Sequence, residues 1–131
     1  MQLTIIIKKT NELNANCSKA VRSFRHKDIS LCDIIFIDKF SDIVYGMIKS
    51  DWYFVLYDDE IIDELLLEAL TIAGDDPSFD VFSCYKLDSE QKVTVCPRMF
   101  RKYVQIEKEF LYPIMSVKME TLLNGWVREI E

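Results

Sequence analysis

The sequence predicts an α/β domain: a mostly parallel central sheet, followed by a C-terminal hairpin and helix. Three observations carry this reading. Three apolar, β-branched or aromatic runs (LTIII at 3–7, DIIFID at 33–38, WYFVLY at 52–57) have the composition of strands buried on both faces. Segments with apolar residues three to four apart separate them, giving the order β-α-β-α-β-α with short connections, as in right-handed parallel crossovers. The third run stops at Asp58, Asp59 and Glu60 and leads into Ile61, Ile62, Leu65, Leu66, Ala69, Leu70 and Ala73, again at helical spacing, with Gly74 as the expected C′ residue.

The chain has 131 residues, enough for one domain with a real core; the expected organisation is a single domain over 1–131. Half the residues are hydrophobic, with only three glycines and three prolines, so an ordered fold is expected. The net charge of −6 disfavours non-specific binding to nucleic acid or anionic membranes, both of which need a basic surface. No apolar run reaches the roughly 20 residues of a membrane span. The opening MQLTIIIKKT has no basic region ahead of its apolar run and does not read as a signal peptide, so the expected location is cytoplasmic. Cys17, Cys32, Cys84 and Cys96 show no metal-binding spacing and are expected as reduced thiols.

In chain order, LTIII is expected as the central strand, with DIIFID on one side and WYFVLY on the other. Asn11 is placed to cap a helix over roughly residues 12–25, whose apolar face is Leu13, Cys17, Ala20, Val21 and Phe24. His26 at its end reads as a surface residue favoured by the helix dipole. Phe40–Ser50 has helical spacing in Ile43, Val44, Met47 and Ile48. Phe79–Leu87 and Lys92–Phe100 flank the polar turn Asp88–Gln91 and predict a hairpin. The tail from Met115 to Glu131 has Val117, Met119, Leu122, Leu123 and Trp126 in a roughly helical pattern, interrupted by Asn124-Gly125.

Asp38, Asp58 and Asp59 all fall at C-terminal strand ends, the edge where open α/β sheets bind ligands. Oxygen ligands of this kind suit Mg²⁺ or Mn²⁺ held against a phosphate. The competing structural reading makes Asp58 or Asp59 the helix cap and Glu60 a favourable first-turn charge.

Several segments, in order, resemble family 2 glycosyltransferases. LTIII followed by KKTN is similar to the family's first strand and its P-x-Y-N turn, and SKAVRSF to the helix after it. DIIFIDKFSD resembles the second strand, which ends in a D-D-x-S-x-D pattern. WYFVLYDDEII resembles the metal-binding strand, with Asp58 and Asp59 in place of the D-x-D motif, and CPRMFRK resembles an R-x-F-R/K segment. The resemblance implies a Rossmann-like GT-A fold that uses Mn²⁺ or Mg²⁺ to transfer a sugar from a nucleotide-diphospho-sugar to an acceptor hydroxyl on a glycan, lipid or protein.

Three departures mark a shortened member: Lys8-Lys9-Thr10 replaces P-x-Y, Lys39 replaces an acid, and a strand and helix are missing between Asp42 and Asp51. On this reading Asp58, Asp59 and Glu60 are the metal candidates, while Lys8, Lys9, Asp38, Lys39, Asp58, Arg98 and Arg101 line the donor. Arg98 and Arg101 sit at alternating strand positions, so at most one of them points at the site. Glu107 and Glu109, with Asp80 as a further candidate, are placed to act as the catalytic base; as acids they also fit plain surface charges. The alternative is a catalytically degraded GT-A domain acting as a binding or assembly module. A receiver-like domain is disfavoured by Lys8-Lys9 where that fold has an acidic pair.

Overall fold

The computed structural model describes residues 1–10, 17–107 and 111–130. Seven strands form one sheet: β1 (Gln2–Lys8), β2 (Ser30–Ile37), β3 (Trp52–Tyr57), β4 (Glu60–Ile62), β5 (Val81–Leu87), β6 (Val93–Arg101) and β7 (Met119–Glu129), in the order β2-β1-β3-β6-β5-β7-β4. The expected core of the sheet is present, with β1 between β2 and β3 and parallel to both. Beyond β3 the sheet is mixed rather than mostly parallel. The β5–β6 hairpin and its pairing with β3 are antiparallel, β5–β7 is parallel, and β7–β4 is antiparallel.

Alternation along β1 explains its centrality. Leu3, Ile5 and Ile7 face one core with Phe54, Leu56 and the helical residues Ala20, Leu66, Leu67 and Leu70. Ile6 faces a second core with Tyr53, Val55, Phe40, Ile43, Val104 and Ile106. Helices α1 (Cys17–Arg22) and α2 (Glu64–Ala73) thus cover one face, while loops cover the other.

Three expected helices differ. The described part of the first is the short α1; Asn11 and Leu13 lie outside the described residues. Residues 40–50 form two 3₁₀ turns, Phe40–Asp42 and Tyr45–Met47, rather than one α-helix. A 3₁₀ turn repeats every three residues, so Phe40 and Ile43 point inward together, whereas Val44 and Met47 are exposed. The tail is strand β7, not a helix, because the slot between β5 and β4 satisfies its backbone on both sides.

The helix after the acids also begins later than its spacing suggests. Glu60–Ile62 is β4, and α2 is capped by Asp63, whose Oδ1 accepts from the Leu66 amide at 3.0 Å. Capping therefore gives no role to Asp58 or Asp59. Gly74 closes α2 in the right-handed region, with φ −61°, not as a left-handed C′ residue.

Cys32, Cys84 and Cys96 are free thiols, although Cys84 and Cys96 are direct cross-strand partners in the hairpin. Burial pushes the Cys84 thiol up to about 12, which keeps it protonated and unreactive. Alkylation of the denatured, unreduced protein should accordingly modify all four cysteines of the chain. An unlabelled pair of peptides joined through Cys84 and Cys96 would overturn this.

Candidate functional site

The parallel strands bring three chain segments to one sheet edge. Lys8, the last residue of β1, pairs with Ile37 on one side and Tyr57 on the other. Two further bonds extend the pairing: the Lys9 amide donates to the Ile37 carbonyl at 2.9 Å and the Asp58 amide to the Lys8 carbonyl at 3.0 Å. Lys8–Thr10, Asp38–Phe40 and Tyr57–Asp59 therefore sit side by side, as neighbouring strand ends about 4.8 Å apart.

Asp58 is fully buried, and Thr10 holds both of its oxygens: the amide donates to Oδ2 at 3.1 Å and the hydroxyl to Oδ1 at 2.7 Å. The carboxylate thus fastens the loop after β1 to the end of β3. Asp59 is half-buried; burial, reinforced by the nearby Glu60 charge, raises its carboxyl above the usual range, with Lys86 opposing. Lys8 donates to the Lys9 carbonyl at 2.7 Å, and its ammonium lies 6.0 Å from the Phe40 ring centre. Lys9 forms an exposed ion pair with Asp38 at 3.2 Å, of small energetic worth in solvent. Lys39 is exposed, and its amide donates to Asp42 Oδ2 at 3.1 Å.

The other expected site residues lie elsewhere. Glu60 is fully buried, with Arg98 gripping it in two parallel bonds: Nη1 to Oε1 and Nη2 to Oε2, each 2.8 Å. Lys86 adds a contact to Oε2 at 2.7 Å, and the Tyr57 amide donates to Oε1 at 2.8 Å. Burial alone would raise the Glu60 carboxyl, but Arg98 and then Lys86 outweigh it and hold the group below its usual range. Glu60, expected as a metal ligand, and Arg98, expected at the diphosphate, are thus engaged with each other in the interior, each neutralising the other.

Arg101 pairs with Trp52 at the opposite, N-terminal end of β3, about 20 Å from Asp58 at ~3.3 Å per strand residue. There its guanidinium stacks 3.9 Å from the Trp52 ring centre and donates to the Asp76 carbonyl at 2.8 Å. Asp80 is at that same end, hydrogen-bonded by the Tyr103 hydroxyl. Glu107 is exposed and borders a groove of about 320 Å³ lined by Phe40, Ser41, Ile43, Tyr45 and Gln105, which sets it on the Phe40 side of the edge. Glu109 lies outside the described residues.

Two partners escaped the sequence reading. Thr10 carries no motif of its own. Lys86 carried a usable signal, since a lysine on a half-buried strand calls for a carboxylate partner.

The donor set fits a protein-held divalent cation poorly. Asp58 and Glu60 have all four carboxylate oxygens engaged by protein donors, leaving Asp59 as the open carboxylate of the three. Among the described residues no three histidine, cysteine or acidic side chains converge as a metal site.

No known family's sequence profile matches the chain, and no curated protein matches it. Solved structures do. The chain resembles S. aureus TarS. A structure of TarS 1–349 superposes with a TM-score of 0.65 at 9% identity, covering 99% of this chain and 60% of that one. A longer TarS structure gives the same TM-score and identity, over 100% of this chain and 37% of its own. TarS is a glycosyltransferase, so the shared architecture is a distant glycosyltransferase-like fold; at this identity the likeness concerns the fold alone. This chain spans less than two thirds of either TarS structure. Among the described residues, no helix is long and apolar enough to cross a membrane.

Proposed function

We propose that this chain is a shortened, family 2-like glycosyltransferase domain of GT-A type that binds a nucleotide-diphospho-sugar at the C-terminal edge of β2, β1 and β3. The observation that carries the reading is the meeting of Lys8, Lys39 and Asp59 at one edge of a glycosyltransferase-like fold. Lys8 and Lys39 contact the diphosphate, and Asp38 and Lys9 close one flank as an ion pair. Asp58 sets the position of the β1 loop through Thr10. In transfer, an acceptor hydroxyl oxygen bonds to the anomeric carbon as that carbon's bond to the diphosphate oxygen breaks. The hydroxyl proton passes to a carboxylate on the acceptor side, for which Glu107, beside the Phe40 groove, is the described candidate and Glu109 the other.

Titration of the ¹⁵N-labelled protein with a panel of nucleotide sugars should shift the amides of Lys8–Thr10, Asp38–Phe40 and Tyr57–Asp59. Shifts confined to the opposite edge, around Arg101 and Asp80, would sink the proposal. The engagement of Asp58 by Thr10 favours one second reading, a domain that binds the donor but does not turn it over. Binding without sugar transfer to any acceptor in a glycan, lipid and peptide panel would select it.

A further inference from the structure

We infer that the diphosphate is met by the ammonium groups of Lys8 and Lys39 in place of a resident divalent cation. The inference rests on the nucleotide-sugar reading and deepens it. A cation held against a diphosphate needs protein carboxylates with free lone pairs facing the ligand. Here Asp58 is fully buried, with one Thr10 donor on each oxygen. Glu60 is fully buried and chelated by Arg98 and Lys86. Asp59 is what remains, a single carboxylate beside an already crowded cationic network.

The ammonium groups are arranged differently. Lys9 is paired with Asp38, but Lys8 and Lys39 form no ion pair among the described residues. They stand on adjacent strand ends on either side of Phe40: Lys39 precedes it in the chain, and Lys8 lies over its ring. Two point charges on flexible stems that start from neighbouring strand ends, Lys39 two residues beyond the Ile37 partner of Lys8, suit the two phosphates of a diphosphate. As the leaving group departs, the same ammonium groups would neutralise the charge that develops on it.

Calorimetric titration with UDP, GDP, CDP and inorganic pyrophosphate, each in EDTA and in Mn²⁺, tests this. The expected result is binding of at least one probe with affinity unchanged by EDTA and weakened by a tenfold increase in NaCl. Lys8→Gln and Lys39→Ala should each weaken it by about tenfold, the loss of one charge-assisted contact, while the circular dichroism spectrum stays that of the wild type. Binding that appears with Mn²⁺ alone and disappears in Asp59→Asn would overturn the inference while leaving the nucleotide-sugar reading standing. EDTA-resistant binding untouched by both lysine variants would also overturn it. Absence of binding under both conditions would remove the nucleotide-sugar reading, and this inference with it.

Discussion

Replacing Glu60 with leucine should cost about 3–5 kcal/mol of folding stability, because it strands the charge of a buried arginine. Arg98 is 1% exposed and Glu60 fully buried, so solvent cannot take over the role of the missing partner. Arg98→Met is expected nearer the lower end of that range, since Lys86 still reaches Glu60 at 2.7 Å. The double variant Glu60→Leu/Arg98→Met should recover much of the loss, because two well-packed apolar groups carry no desolvation penalty. Urea denaturation of the four proteins gives the coupling directly; additive losses would mean the pair is not a unit.

The sign with pH is also determined. Glu60 titrates below its ordinary value of 4.5 in the folded state, so its contribution is full above that pH and is lost as pH falls through the folded value. Wild-type stability should decline in that acid window, and the double variant should decline less.

Gly125→Ala should be of similar size, about 3–5 kcal/mol, combining left-handed backbone strain with overpacking. Gly125 has φ +84°, and an added Cβ would lie 2.2 Å from the Leu66 nitrogen and 2.6 Å from its Cα. Those are backbone atoms of α2, which cannot swing aside. The position joins two elements. Asp63 caps α2 through Oδ1, accepts the Trp126 amide on Oδ2 at 3.0 Å, and donates its own amide to the Trp126 carbonyl at 3.1 Å. A thermal midpoint for Gly125→Ala within a degree or two of the wild type would show that the corner yields, contrary to this account.

The parallel trio was readable because LTIII, DIIFID and WYFVLY are buried runs whose composition alone marks them as strands, and short links restrict their pairing. The hairpin was readable from the polar turn between its arms. What misled was periodicity in short segments. Val117, Met119, Leu122, Leu123 and Trp126 match a helix stripe by spacing, yet the open slot beside β5 decides their conformation, and slots are not written in local sequence. Gly125 reads from sequence as an interruption, but its role in the irregularity of β7, between the Leu122–Cys84 and Val127–Lys86 pairs, depends on α2 lying against it.

The site divided along similar lines. Adjacent acids could be placed at a strand end from sequence, but their individual duties depend on partners distant in sequence. Arg98 is 38 residues from Glu60, and Thr10 is 48 from Asp58. Alternation indicated that Arg98 and Arg101 have different surroundings; the pairing of Arg101 with Trp52 shows that they also lie toward different ends of the sheet.

The place of β7 bears on how the chain is made. It is the last of the seven strands to emerge during synthesis, yet it is an interior strand, seated between β5 and β4. Until β7 emerges, the nascent chain carries β5 with an open edge, β4 without its partner and α2 without the Trp126 contact to its cap. The β2-β1-β3 group can assemble early, because its pairings involve segments already synthesised, whereas the remainder of the sheet must wait for its closing strand. During that interval the unpaired edge of β5 is the segment most in need of protection from neighbouring nascent chains.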